Sequence, residues 1–196
     1  MGKSNRDTIG VNDCQILAHY KYEADQYILT LSSKEIAENT QPGQFVHLSV
    51  SGMLAMRRPI SVMSVDKDNG TFDLLYKIVG EGTRQLADRK IGDMLSVIGP
   101  IGNGFQMTDK KIPLLIGGGV GMPPIIAIAQ NIKDNDYFSP YVILGSEVPF
   151  PFDTVSSNLG GFYSSKIHTM PLLEEWGVQA GLTSLQSFDG VYDGYV

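Results

Sequence analysis

Cysteine is nearly absent: Cys14 is the single one among 196 residues. One thiol excludes an internal disulfide, a thiolate-rich zinc site and an iron–sulfur cluster held by cysteines of this chain alone. Basic charge is also scarce, with 15 Lys and Arg against 21 Asp and Glu and a formal net charge of -6. Without an extended Lys/Arg run there is little to replace phosphate counterions, so no nucleic-acid partner is expected. Histidine is thin on the ground: His19, His47 and His168 share no metal-ligand spacing, and no H-E-x-x-H pattern occurs. No metal site is expected. There is no G-x-S-x-G elbow and Cys14 has no local partner, which argues against acyl transfer. The polar start lacks the apolar stretch of a signal peptide. Ile112 to Ala129 is long enough to suggest a membrane span, but four glycines and three prolines break it up. No membrane partner and a cytoplasmic location are expected.

What is present suits a folded chain with many tight turns. Apolar residues reach 42%, and glycine, at 22 residues, exceeds the usual share of about 7%. The first hundred residues alternate with period two between turn signals, as half-buried strands do. Cys14, Ile16, Ala18 and Tyr20 share one face, and Tyr27, Leu29 and Leu31 another. Pro42-Gly43 precedes Val46, Leu48 and Val50. Asp68-Asn69-Gly70 joins Pro59–Val65 to Phe72, Leu74, Tyr76 and Ile78 as a hairpin. Leu95 to Ile98 adds one more strand. The pattern predicts a small antiparallel barrel in which only Thr83 to Arg89 is helical. After Asp109-Lys110-Lys111, an apolar strand at Pro113–Ile116 leads through glycines into a helix, and a second apolar strand follows at Tyr141–Leu144. Strands apolar on both faces around a helix predict a parallel sheet. The expected fold class is therefore a barrel domain over residues 1–109, followed by a doubly wound parallel α/β domain over 110–196. The second is expected to be incomplete, because a three-layer sheet usually needs about 100 residues or more.

Four clusters could carry chemistry. Gly117-Gly118-Gly119-Val120-Gly121-Met122-Pro123-Pro124 lies between strand and helix, where glycines admit a diphosphate and a helix N-terminus offers free N–H groups. Proline near the first helical turn suits that geometry. Arg57-Arg58-Pro59-Ile60-Ser61 brings a phosphate-matching guanidinium onto a strand, with a serine three residues on that can bond a heteroaromatic ring. Gly80-Glu81-Gly82-Thr83 opens the helix of the first domain; its N–H groups could meet an anion, or Thr83 could cap the helix. Gly99-Pro100-Ile101-Gly102-Asn103-Gly104-Phe105 is a turn-rich loop near the domain boundary, readable as a plain linker.

Their order carries more than any one of them. R-x-x-S on a barrel, G-x-G-T on a short helix and a glycine turn ending in proline together resemble the ferredoxin–NADP reductase superfamily. Within it the chain is most similar to the family of dihydroorotate dehydrogenase electron-transfer subunits. Pro42-Gly43-Gln44-Phe45-Val46 and Tyr76-Lys77-Ile78-Val79 add to the likeness, which covers about residues 12–147. The resemblance implies FAD on the barrel and NAD(H) on the α/β domain. It implies that Arg58 meets the flavin diphosphate and that Ser61, the candidate catalytic residue, lies near flavin N5. Pro59 and Ile60 would accompany them on the same strand. Gly80, Gly82 and Thr83 would hold the diphosphate, Tyr76, Lys77 and Ile78 would line the flavin, and Gly118, Gly119, Gly121 and Pro124 would receive the nucleotide. A catalytic dihydroorotate-oxidising partner, NAD+ as final acceptor and a role in pyrimidine biosynthesis are implied as well.

The chain departs from this pattern in places. Ile60 stands where many superfamily members have an aromatic residue, and Glu147 where many have arginine. The family's two-iron two-sulfur cluster is expected, yet its cysteine segment and the Cys-Gly-Pro segment are both missing, so the chain reads as truncated or naturally shortened. Two other readings stay open: a free-standing NAD(P)H-dependent flavin reductase or another electron-transfer subunit of the superfamily, and an inert flavin-binding module.

Overall fold

The computed structural model describes residues 9–50, 56–160 and 167–196. The chain divides into two units. One takes the residues up to Lys21 together with Asp25–Phe105, the other Tyr22–Ala24 and Gln106–Val196.

The first unit is built on a closed six-stranded barrel. Its strands are β1 (Gly10–Tyr22), β2 (Gln26–Ser32), β3 (Phe45–Ser49), β4 (Arg58–Asp66), β5 (Thr71–Lys77) and β6 (Met94–Ile101). They close in the order β1-β2-β5-β4-β3-β6, which leaves no open sheet edge. Period-two alternation sends Cys14, Ile16, Leu29, Leu31, Val46, Leu48, Phe72, Leu74, Leu95 and Val97 into one solvent-free core. The β4–β5 turn closes where the Asp66 carboxylate accepts the Asn69 N–H at 2.9 Å and its amide at 2.7 Å. Gly70 then takes a φ of +65. The expected inward face of β1 breaks down beyond Ile16: Tyr20 is 60% exposed. Strand β1 outruns its pairing with β6 at Gln15, and it is His19 that packs against Tyr27, with ring centroids 5.3 Å apart.

Among the described residues two α-helices, not one, belong to this unit. Helix α1 (Lys34–Asn39) was not expected. Ser33 caps it by accepting the Ile36 N–H at 3.2 Å, and Ile36 and Ala37 are buried. Helix α2 spans Glu81–Ala87 rather than Thr83–Arg89. It starts earlier because Thr83 folds back onto Gly80, and its last turn ends at Asp88. Arg89 instead donates from Nε to the Val50 carbonyl at 3.1 Å.

In the second unit β7 (Leu114–Gly118) runs through a 3-10 turn at Gly119–Gly121 into α3 (Met122–Ile132), then β8 (Tyr141–Ser146). Strand β9 (Val155–Ser156) pairs with β10 (His168–Thr169), and α4 (Pro171–Glu175) leads to β11 (Gln179–Ser184) and β12 (Tyr192–Asp193). The main sheet has the order β12-β11-β8-β7, with every pairing parallel. Helix α3 covers the Leu115–Gly117 face of β7: a Cβ on Gly117 would meet Ile125 Cγ1 at 2.8 Å and Met122 Cα at 3.2 Å. The opposite face is not buried as expected, since Leu114 is 55% and Ile116 45% exposed. Strand β7 is the outer strand of the sheet and has α3 on one side only. The apolar Ile112–Ala129 stretch is shared out between β7, the turn and α3, and among the described residues no helix is long and apolar enough to cross a membrane.

Candidate functional site

The two arginines at the start of β4 do different things. Arg57 is consumed by the barrel: its guanidinium donates to the Ser96 carbonyl at 2.7 Å, to Ser96 Oγ at 3.0 Å and to the His47 carbonyl at 3.4 Å. Arg58 lies across the first turn of α2. A Cβ on Gly82 would strike Arg58 Nε and lie 2.5 Å from its Cζ and 2.7 Å from its Cδ. Only glycine at 82 lets the guanidinium rest there, and among the described residues no carboxylate pairs with it. The first intrahelical bond of α2 runs from the Arg84 N–H to the Gly80 carbonyl at 3.0 Å. The N–H groups of Glu81, Gly82 and Thr83 precede it and have no acceptor one turn back. A cation and three unused donors converge at one spot, a cradle for a phosphate or diphosphate.

Thr83 contributes less than its hydroxyl promised. Its Oγ1 accepts the N–H groups of Val79 at 3.0 Å and Gly80 at 3.2 Å, and donates to the Gly80 carbonyl at 3.1 Å. That fills its hydrogen-bonding capacity, so only the Thr83 N–H remains for a ligand. Gly80 is exposed, with nothing within 4 Å of where a Cβ would lie.

Ile60 (7% exposed) and Tyr76 (3%) point into the barrel core, so only their backbone can face a ligand. Tyr76 stacks on Tyr27 with centroids 5.2 Å apart at 12°. A carbonyl can only accept, so His19 Nδ1 donates to the Arg89 oxygen at 3.0 Å; Nε2 then accepts from the Tyr76 hydroxyl at 2.8 Å. Burial, then the neighbouring Tyr27 and Asp88, push ionisation of Tyr76 well above the usual phenol range, which keeps it a donor. Lys77 and Ile78 are half-buried as β5 leads out towards α2. Ser61 is half-buried in register with Phe45, and exposed Pro59 is in register with His47. Alternation sends Ser61 and Arg58, three residues apart, to opposite faces of β4. The structure thus gathers Arg58, Gly80, Gly82 and Thr83, and holds Ser61 apart from them.

The Gly99–Phe105 segment is more than a linker. Gln44, 1% exposed, donates to the Gly102 carbonyl at 2.8 Å and accepts the Gln41 N–H at 2.7 Å. Phe105 donates its N–H to Pro42 at 2.8 Å. Gly43, with φ +91, leaves room for the Phe105 ring, whose Cε2 a Cβ would meet at 2.7 Å.

In the second unit Gly118 and Gly121 are exposed and Gly119 takes a φ of +53. Nothing lies within 4 Å of a Cβ built on Gly119 or Gly121. The turn backbone is open to a ligand. The N-terminus of α3, however, lacks the free donors expected of it. The Met122 N–H bonds the Gly119 carbonyl, and Pro123 and half-buried Pro124 have no N–H. Any diphosphate would meet glycine N–H groups and the helix dipole. Sequence reasoning missed the polar residues at the carboxyl ends of β8 and β11: Ser146, which accepts the Val148 N–H at 3.3 Å, Ser184, which accepts the Gln186 N–H at 3.1 Å, and Thr183. The site for ligands in parallel sheets is at those ends, but short runs of small residues carried no distinguishing pattern. Cys14 is fully buried, and burial pushes its thiol up to about 12, opposed by a Ser33 hydrogen bond and assisted by Asp13. Among the described residues no group of three or more His, Cys, Asp or Glu could hold a metal.

Residues 14–105 match the family model described as the oxidoreductase FAD-binding domain. A Bacillus cereus (strain B4264) protein, the electron transfer subunit of dihydroorotate dehydrogenase B (NAD(+)), is 40% identical over 111 residues; the match covers 54% of this chain and 43% of that protein. The chain therefore spans less than half the length of that relative in the matched region. Among solved structures, the NADH-dependent reduced ferredoxin-NADP oxidoreductase superposes with a TM-score of 0.73 at 24% identity, over 94% of this chain and 60% of that one. The ferredoxin reductase of carbazole 1,9a-dioxygenase gives 0.71 at 19% identity, over 95% and 54%. At these identities the structural likeness establishes the ferredoxin-reductase fold.

Proposed function

From the match of residues 14–105 to the oxidoreductase FAD-binding domain model, we propose that the chain is the flavin-carrying part of an electron-transfer subunit that exchanges hydride between FAD and NAD(H). The observation that carries this reading is the Arg58 guanidinium resting on Gly82 above the unused N–H groups of α2. Arg58 neutralises the diphosphate, and the N–H groups of Gly82 and Thr83 bond its oxygens. Gly80 leaves the approach clear. Ser61 and the backbone of Pro59 and Ile60 at the start of β4, with the backbone of Tyr76, Lys77 and Ile78, would line the flavin ring, the Ser61 hydroxyl near N5. Bound FAD supplies the hydride chemistry, between its N5 and nicotinamide C4. Residues 1–109 serve FAD in this division of labour, and 110–196 serve the nucleotide, which meets the open backbone of Gly118, Gly119 and Gly121 beside Pro124.

The relative's description supports NAD(H) as the nucleotide and a dihydroorotate-oxidising subunit as partner, and on this reading the chain serves pyrimidine biosynthesis in the cytoplasm. A two-iron two-sulfur relay to that partner would need ligands from outside these 196 residues, because Cys14 is sealed in the barrel core. An absorbance spectrum of the purified chain tests the reading. A bound flavin spectrum that bleaches anaerobically with NADH is expected; a chain that retains no FAD after incubation with it would refute the proposal.

A further inference from the structure

His19, on β1 beyond its pairing with β6, joins the two elements assigned to the flavin. Its Nδ1 donates to the Arg89 carbonyl at 3.0 Å, and its Nε2 accepts from the Tyr76 hydroxyl at 2.8 Å. Arg89 closes the turn that ends α2, its N–H donating to the Leu86 carbonyl at 3.1 Å. The Arg89 side chain is committed as well, with Nε on the carbonyl of Val50, directly after β3. Tyr76 lies on β5, buried and stacked on Tyr27. One imidazole thereby holds both ends of the Tyr76–Arg89 segment. Between those ends lie Lys77, Ile78, Gly80, Gly82 and Thr83, which are the other residues of this stretch assigned to the flavin.

The two bonds fix more than they stabilise. A neutral hydrogen bond adds little net to folding, because the unfolded groups bond water instead. A buried polar network with every member satisfied selects one arrangement of its parts. Here both ring nitrogens are used, the tautomer is set by a carbonyl that can only accept, and burial keeps the Tyr76 hydroxyl protonated. Apolar side chains in the same space would pack β5 near α2 without setting the distance between them. We infer that His19 is a positioning residue for the flavin, clamping the end of β5 and the end of α2 at the spacing that one FAD molecule spans. This rests on the reading of the barrel as the flavin site. His19 itself touches no part of the ligand. The cradle at Arg58 and Gly82 is made by β4 and α2, so it outlasts the clamp. What the clamp secures is the simultaneous fit of ring and diphosphate, since two binding groups joined in one ligand reinforce each other only where geometry lets both engage.

Three conservative variants each release one bond. H19N keeps a donor where Nδ1 lies and drops the bond to Tyr76. H19Q keeps an acceptor near Nε2 and drops the bond to Arg89. Y76F removes the hydroxyl alone. Flavin-fluorescence titration gives the FAD affinity of each, and displacement of FAD by ADP gives the affinity of the cradle alone. ADP is expected to displace FAD from the wild type. FAD affinity is expected to fall about three- to tenfold in every variant, with ADP affinity unchanged. The H19N/Y76F double variant is expected to lose no more than either single one, because both remove the same bond. The inference is overturned if any of the three binds FAD like the wild type, or if the losses in the double variant add. It is equally overturned if ADP affinity falls in step with FAD affinity, the mark of a role in folding alone, or if ADP displaces no FAD from the wild type. A wild-type chain that takes up no FAD would overturn the flavin reading itself, and this inference with it.

Discussion

Alanine at position 82 should separate flavin binding from folding. The new Cβ would run into Arg58 Nε and lie 2.5 Å from Cζ. Because the obstacle is the far end of a flexible side chain, the guanidinium swings away and α2 keeps its place. Gly82 is not among the glycines with positive φ, so its backbone accepts alanine. Alanine is favoured over glycine within helices by up to about 1 kcal/mol, so the melting temperature of the flavin-free chain should hold or rise by a few degrees. Flavin binding should respond in the opposite direction. A hydrogen bond to a charged group is worth about 1.5–3 kcal/mol, which is roughly 10- to 150-fold in Kd. Arg58→Ala should lose a similar amount. Once Arg58 is gone, Gly82→Ala has nothing left to displace, so the double variant should bind FAD no more weakly than Arg58→Ala alone. Flavin-fluorescence titration of the four proteins, with thermal melts of each, measures the whole cycle. Unchanged affinity in Gly82→Ala, or fully additive losses in the double variant, would refute the role given to this contact.

Three other outcomes are expected. Cys14, with burial raising its thiol to about 12, has almost no thiolate at pH 8; a thiol-disulfide colour reagent should detect one equivalent only after denaturation, and rapid native reaction would contradict the burial. Gly117→Ala places a Cβ 3.0 Å from the Gly121 carbonyl and 3.2 Å from Met122 Cα, both backbone. Helix α3 must then shift, at a cost of about 1–3 kcal/mol, and urea melts that match the wild type would sink the argument. NADH should reduce the flavin faster than NADPH, because residues 137–163 offer carboxylates at Glu147 and Asp153 and no cation for a 2′-phosphate; equal or faster reduction by NADPH in stopped flow would reverse that.

What could be read in advance follows from how far each feature depends on distant residues. The barrel strands announce themselves because alternation is local: Leu29 and Leu31, or Phe72 and Leu74, need no partner to show which way they point. The same alternation already places Ile60 with Val62 and Tyr76 with Leu74 inside the core, so their side chains could have been taken off the flavin surface from period two alone. The α3 donors were equally legible, since Pro123 and Pro124 cannot donate in any fold. Helix α1 was not, because six residues are under two turns and leave Ser33 as the main local signal. Nor was β11, where Ala180, Gly181, Thr183 and Ser184 lack the branched apolar run of a buried strand. The division between Arg57 and Arg58 lies beyond any local reading. It is decided by Ser96, 39 residues on, which takes up Arg57, and by the missing side chain of Gly82, which makes room for Arg58. An adjacent pair of arginines becomes one structural cation and one available cation only when the barrel closes around them.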